Sequence, residues 1–531
     1  MTSFVHELIS SSASKYADKT ALTCKSTSLT YQQLQHEITT NANGYSALSI
    51  TRFDRIAVLL PKNITAITIL FACSRIGAVF VPINPLLKTA QVEHILEDCQ
   101  TTLLVTNKAR FHTLKNQLNN LTALRYILLV DEQEIAHETI EHISVISWRY
   151  FRENKRTAPI SRPIKSTDMA AIFYTSGSTG KPKGVVLSHQ NIVIGAHSVS
   201  SYLHNNEQDV ILAALPISFD YGFSQLTTSF LAGANAILID YLLPQDLLKA
   251  VEQHNVTGLA GVPPLWGQLA KLNWQKYNTT SLRYFTNSGG ALPENILSTL
   301  RAAVPDALPY MMYGLTEAFR STYLPPEKID CKPNSIGKAI PNVEIFVIND
   351  QGKECTENEP GELVHTGPLV SLGYWNAQQA TQMRFKPSPC SPQGIKLPEI
   401  AVYSGDTVTK DKEGYLYFIA RNDEMIKTSG YRVSPTEIEE VLYQHANVLE
   451  CVVIGIEHLI LGQGIIALVS STQEAQTLQD ELLLHCKKAL PTYMIPEAFI
   501  VLSELPHNAN GKLDRSLLTS TYQSFFSDKA S

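Results

Sequence analysis

Apolar positions recur along this chain with two periods, and the places where one gives way to the other mark out its elements. Residues 4–16 carry apolar side chains at helical spacing. Ala21-Leu22-Thr23-Cys24 and Ser28-Leu29-Thr30-Tyr31 read as a short hairpin, and residues 31–42 return to helical spacing. Residues 55–60 predict a buried strand. Residues 64–77 predict a helix that Gly77 stops, with Val79-Phe80-Val81-Pro82 as the next strand. Leu103-Leu104-Val105 and residues 126–130 continue the alternation. Strands that alternate with helices build a parallel sheet covered on both faces.

The same pattern runs on with a change of character. Ala170-Ala171-Ile172-Phe173 and Val185-Val186-Leu187 bracket a polar loop, and residues 189–203 read as a helix. Residues 344–347 and 361–367 have strand character with turns, which predicts a smaller β-rich subdomain. The last hundred residues form a unit of their own: a helix over 436–443, strands over 451–455 and 465–469, a helix over 478–489 and a strand over 498–501. The expected class is therefore α/β, with a large N-terminal domain of parallel-sheet layers plus the β-rich subdomain, and a small α+β C-terminal domain.

Bulk properties narrow the function. A chain of 531 residues exceeds one ordinary core, so two or three domains are expected. Hydrophobic residues at 44% and charged residues at 17% describe a soluble globular protein, and a net charge of −6 carries no nucleic-acid footprint. The eight cysteines lie far apart with no Cys-x-x-Cys pair, which argues against a zinc site or a disulfide framework and fits a cytoplasmic protein. The apolar stretch 64–87 is interrupted by Arg75, Pro82 and Pro85, so no membrane span is expected, and the first residues lack a signal-peptide pattern.

The candidate chemistry centres on residues 174–189, where Thr175, Ser176, Gly177, Ser178, Thr179, Gly180 and Lys183 combine glycines, hydroxyls and a lysine. Glycines let the backbone approach a ligand, successive N–H groups form anion nests, and lysine adds point charge for phosphate. The spacing fits neither the Walker P-loop, since Pro182 follows Lys181, nor the dinucleotide fingerprint. Downstream, Ser218-Phe219-Asp220-Tyr221-Gly222 sets a carboxylate among aromatics. Burying it unpaired would be costly, so it either receives a cationic ligand or caps a helix that begins near Tyr221. Further loops carry Gly289, Gly290 and Ala291, then Tyr313-Gly314-Leu315-Thr316-Glu317, whose Glu317 offers a hard oxygen to Mg²⁺. Gly405-Asp406 offers two oxygens to a diol, and Arg421 and Asp423 follow. Lys512 lies in Asn510-Gly511-Lys512, which in isolation is a turn.

Taken in order, these strings resemble the adenylate-forming superfamily of acyl-CoA synthetases, luciferases and nonribosomal adenylation domains. Residues 174–189 are similar to its phosphate-binding signature, Leu29-Thr30-Tyr31 and residues 77–82 to its first core motifs, and Gly373-Tyr374-Trp375 to a structural one. Ala420 stands where the family shows Gly. The resemblance implies a core over 1–422 and a mobile lid over 423–531 that carries the catalytic Lys512. It implies ATP and Mg²⁺, with ATP/AMP held by the phosphate loop, Gly289, Gly290, Ala291, Tyr313, Gly314, Thr316, Asp406 and Arg421, and the metal held by Glu317. It implies rotation about Asp423 that brings the segment of Lys427 and Gly430 to the site for attack by a thiol. Residues 218–222 and 316–321 look like the free-standing amino-acid:carrier-protein ligases, nearest the L-prolyl-[carrier protein] ligases of pyrrole and anatoxin-type pathways. The acid pocket would then be lined by Phe219, Asp220, Tyr221, Ser224, Gly261, Thr286, Ser288, Met312, Arg320 and Ser321, with Asp220 receiving an α-ammonium and Gly261 and the serines making room. The expected partners are an amino acid or another carboxylic acid and a phosphopantetheinylated carrier protein. An acyl-CoA ligase for a fatty or aryl acid is the alternative, and a non-catalytic adenylate-binding protein the remote one.

Overall fold

Gly77 shows how local chemistry sets an element. Its φ of 76° is left-handed, and its N–H caps the carbonyls of Cys73 and Ser74, ending the helix Ile64–Ile76. The chain then enters the strand Val79–Pro82, parallel to Arg55–Leu59. The computed structural model describes residues 2–131, 138–140, 142–153, 163–175, 182–392, 394, 396–421, 424–428, 431–458 and 461–526.

Among the described residues the strands form three sheets. The eight-stranded one contains Arg55–Leu59, Val79–Pro82, Leu103–Thr106 and Tyr126–Leu129 in parallel, and the antiparallel pair Met169–Thr175 and Lys183–Ser188 at one edge. The fourteen-stranded one runs in parallel through Asn235–Leu238, Val210–Ala213, Gly258–Gly261, Tyr284–Asn287 and Leu308–Tyr313. It continues as antiparallel strands to Leu416–Arg421, Ile400–Lys410, Gly361–Thr366 and Glu344–Ile348, so the β-rich region extends the large sheet. The expected hairpin is present as Thr20–Cys24 and Thr27–Thr30, and it joins this sheet beside Asn235–Leu238. The third sheet is C-terminal, built on Glu450–His458 and Gly462–Ser470, with Ile426–Thr428, Tyr431–Val433 and Ala498–Leu502. No helix among the described residues is long and apolar enough to cross a membrane.

The helix Asp220–Ala232 lies between the two large sheets. It is buried without interruption from Asp220 to Phe230, as befits a helix with no polar face. Phe223 and Phe230 pack with Phe71, and Phe223 also meets Phe80 and Phe173 of the eight-stranded sheet. Tyr221 joins the other core, with Trp266, Phe285 and Met312. The N-terminus of this helix is thus held from both sides.

Candidate active site

The register of the parallel strands places Gly261, Asn287 and Met311 side by side, so the loops that follow open at one edge. In open α/β sheets this edge is where ligands gather. Gly289 sits there with φ 85°, and a Cβ on it would lie 2.7 Å from Lys512 Cε. The left-handed φ favours glycine, and a Cβ there would push the lysine chain aside. Lys512 therefore reaches the large domain, with its ammonium 5.0 Å from the centre of the Phe219 ring. Its loop is folded by Asn508, whose Oδ1 accepts from the Asn510 and Lys512 N–H groups, and docked by Asn84, whose Nδ2 donates to Ala509 O at 2.5 Å. Burial lowers the Lys512 pKa, and Asp220 is the largest influence against that fall.

Asp220 is the first residue of its helix. It makes no cap hydrogen bond, because Phe219 holds the cap position, so the helix-cap alternative is set aside. Nor is it unpaired. Its Oδ2 accepts from Arg320 Nη1 at 3.2 Å and its Oδ1 from Thr316 Oγ1 at 3.1 Å, and both charged side chains are 3–4% exposed. The chain thus supplies a cation of its own for this carboxylate, a partner not expected from the sequence. The turn that delivers Arg320 is unusual: after the 3-10 turn Thr316–Ala318, the fully buried Phe319 takes φ 57°. Gly314 gives the returning backbone room, as a Cβ there would sit 3.1 Å from Arg320 Cα. The guanidinium lies 4.6 Å from the centre of the Tyr221 ring.

Other expected residues divide. Thr316, expected near phosphate, donates its hydroxyl to Asp220 Oδ1. Tyr313 donates its hydroxyl to Asp406 Oδ2 at 2.5 Å, and Arg421 Nε lies 3.3 Å from Oδ1 of the same carboxylate, whose pKa burial raises. Ala420 raises no conformational difficulty, because it lies within the strand Leu416–Arg421. Glu317 accepts from the Tyr374 hydroxyl at 2.5 Å, so Tyr374, expected to be structural, touches the carboxylate assigned to the metal. Thr175 and Lys183 face each other across their strand pair. Ser176, Gly177, Ser178, Thr179, Gly180, Asp423 and Gly430 lie outside the described residues, and Lys427 is on the strand Ile426–Thr428. Ala291 is exposed beside Gly290.

A cavity of about 30 Å³ lies beside the helix Asp220–Ala232, and Tyr221, Ser224, Thr286, Met312 and Arg320 are among the residues that line it. The rest of the lining, including Val199, Leu203, Ile211, Gly258 and Tyr284, carries no signal in the sequence. Gly261 does not make room for a ligand, because the Trp266 indole fills its place and a Cβ would meet Cε2 at 2.7 Å. Ser321 points to His365 Nδ1 at 2.9 Å, and Phe219, Asp220, Ser288 and Ser321 are not part of the lining.

The arrangement suits a nucleotide. Asn287 Oδ1 is a buried acceptor without a partner among the described residues, beside the glycine pair, whose Gly290 O accepts from its Nδ2. Glu317 is a lone carboxylate, and no cluster of three metal-ligating side chains occurs among the described residues. Mg²⁺ is commonly held by one or two carboxylates plus substrate phosphates, so this donor set fits it.

Comparison with known proteins agrees. Residues 9–375 match the AMP-binding enzyme family, and residues 437–512 match the AMP-binding enzyme C-terminal domain. An L-proline--[L-prolyl-carrier protein] ligase of Pseudomonas fluorescens is 29% identical over 97% of this chain and 98% of its own length. A linear gramicidin synthase of Brevibacillus parabrevis is also 29% identical over 97% of this chain, which spans only 6% of that much longer protein. A long-chain-fatty-acid--CoA ligase of Bacillus subtilis is 26% identical over 97% of this chain and 94% of its own. Among solved structures, o-succinylbenzoate coenzyme A synthetase of Bacillus subtilis, in complex with ATP and magnesium ion, superimposes with a TM-score of 0.80 at 27% identity, over 96% of this chain and 99% of that one. Enzymes of this kind use ATP with Mg²⁺. The chain belongs to the AMP-binding, adenylate-forming enzymes.

Proposed function

We propose that this enzyme activates an amino acid as its aminoacyl adenylate and passes the acyl group to the phosphopantetheine thiol of a carrier protein. The carrying observation is the position of Asp220, a buried carboxylate next in the chain to Phe219, whose ring centre lies 5.0 Å from the Lys512 ammonium. A carboxylate has about four acceptor positions, and Asp220 spends two of them on Thr316 and Arg320. The remaining two suit an α-ammonium one carbon from the reacting carboxylate. Lys512 would offset repulsion between that carboxylate and the α-phosphate of ATP. The phosphate loop, Gly289, Gly290, Tyr313, Asp406 and Arg421 would hold the nucleotide, and Glu317 would hold Mg²⁺, which neutralises phosphate charge when bound. The division into a core over 1–422 and a lid over 423–531 belongs to the same reading. After adenylation the lid turns about Asp423, Lys512 withdraws, and the segment of Lys427 and Gly430 admits the thiol. L-proline is the substrate named for the Pseudomonas relative and is the first amino acid to try.

One observation favours a second reading. Asp220 already has a cation in Arg320 and needs none from the substrate, which suits an acyl-CoA ligase for a fatty or aryl acid. ATP–pyrophosphate exchange with all proteinogenic amino acids and a set of fatty and aryl acids separates the two. Exchange with an amino acid, and a KM raised about 10-fold or more in Asp220→Asn, is the expected result. Exchange with fatty or aryl acids alone would sink the amino-acid reading and make free CoA the acceptor, and absence of pyrophosphate release with any acid would return the chain to adenylate binding without catalysis.

A further inference from the structure

Arg320 has more donors than its partners use. Nη1 bonds Asp220 Oδ2 and Phe319 O, both at 3.2 Å. Nε and Nη2 are buried and have no partner among the described residues. These two nitrogens form one edge of the planar guanidinium, the side-on fork that matches the two oxygens of a carboxylate. An arginine 2% exposed with that edge unspent is costly unless something accepts from it.

The cavity is a space beside Arg320 that such an acceptor could take. Arg320 lines it, together with Tyr221, Ser224, Thr286 and Met312, while Lys512, Gly289 and Asp220 do not. A group gripped there is therefore not the carboxylate that reacts beside Lys512. The volume of about 30 Å³ holds roughly two water-sized groups. That is enough for a two-oxygen head and too little for a ring or an alkyl chain. The Tyr221 and Thr286 hydroxyls bond each other at 2.5 Å, and Arg320 is the charged lining residue, with two buried donors unpartnered among the described residues.

We infer that Arg320 selects an amino acid whose side chain ends in a carboxylate, gripped in this cavity by Nε and Nη2. The inference rests on the amino-acid reading above and narrows it, so proline becomes the weaker substrate. The charges close: the ammonium meets Asp220, the distal carboxylate meets Arg320, and the reacting carboxylate meets Lys512. A distal carboxylate without the ammonium would leave Asp220 and the ligand sharing one guanidinium.

The test compares isosteric pairs in the wild-type enzyme by ATP–pyrophosphate exchange: glutamate against glutamine, aspartate against asparagine, with proline as the apolar reference. An amide puts an N–H₂ against the fork, so the acidic member of one pair is expected to win by about 100-fold or more in kcat/KM. Arg320→Lys keeps a cation for Asp220 but loses the planar fork, and it is expected to reduce that preference below about 10-fold, chiefly through KM. Equal use of both members, or proline exceeding both acids, overturns the inference and leaves the cavity to water while the proposed function stands. Exchange with no amino acid at all removes the function itself. The wild-type comparison decides the matter even where the variant fails to fold.

Discussion

The Asp220–Arg320 pair makes a sharp prediction about stability in the absence of any ligand. Its atoms are 3.2 Å apart and its side chains are 4% and 3% exposed. In that setting the attraction mostly offsets desolvation, so the pair contributes little in itself, but removing one partner strands the other charge. Asp220→Ala leaves the guanidinium with only Phe319 O. Arg320→Met leaves a buried carboxylate with only the Thr316 hydroxyl. Each single change is expected to cost about 3–5 kcal/mol, roughly 150- to 5,000-fold in the folding equilibrium. The double variant removes both charges and is expected to cost no more than the worse single one, a coupling energy of about 3 kcal/mol. Urea unfolding followed by tryptophan fluorescence reads this directly, because Trp266 is buried in the same core as Tyr221 and Met312. Additive effects, or single variants costing under about 1 kcal/mol, would refute the reasoning. Asp220 would then be waiting for a cation from outside.

Three other perturbations follow from the geometry. Gly195→Ala should destabilise by about 1–3 kcal/mol despite alanine's better helix propensity, because its Cβ would lie 2.4 Å from Phe319 Cδ1. Phe319 carries Arg320, so exchange activity should fall along with the melting temperature, and an unchanged melting temperature would count against the packing. Asn84→Ala removes the hydrogen bond to Ala509 O and weakens docking of the lysine loop by about 0.5–1.5 kcal/mol. Adenylate formation should slow by up to about 10-fold while transfer from a synthetic acyl adenylate to thiol is unaffected; equal losses in both steps would refute a docking role. Lys512 has a lowered pKa when docked, so the docked state binds fewer protons than one with the lysine in water. Docking without nucleotide should therefore strengthen as pH rises from the lowered value toward the ordinary 10.5, and be weakest and independent of this lysine's titration below that window. Energy transfer between dyes on the two domains would show this, and Lys512→Met should abolish the dependence.

The sequence by itself determined the elements and the family. Gly77 ends a helix because only a left-handed residue does so at no cost, and residues 20–30 form a hairpin because alternation and a short polar turn allow little else. The ordered motifs sufficed to name the adenylate-forming enzymes before any contact was known. The tertiary structure alone decided what those residues do to one another. Asp220 and Arg320 are 100 positions apart, and nothing in either string says they meet. Whether Gly261 opens a pocket or seats an indole depends on where Trp266 packs, and Tyr374 becomes a partner of Glu317 only when the fold brings together residues 57 positions apart. Periodicity reports which face of an element is buried. It carries no record of which buried polar group will satisfy which other, because that is settled by the close packing of the whole interior.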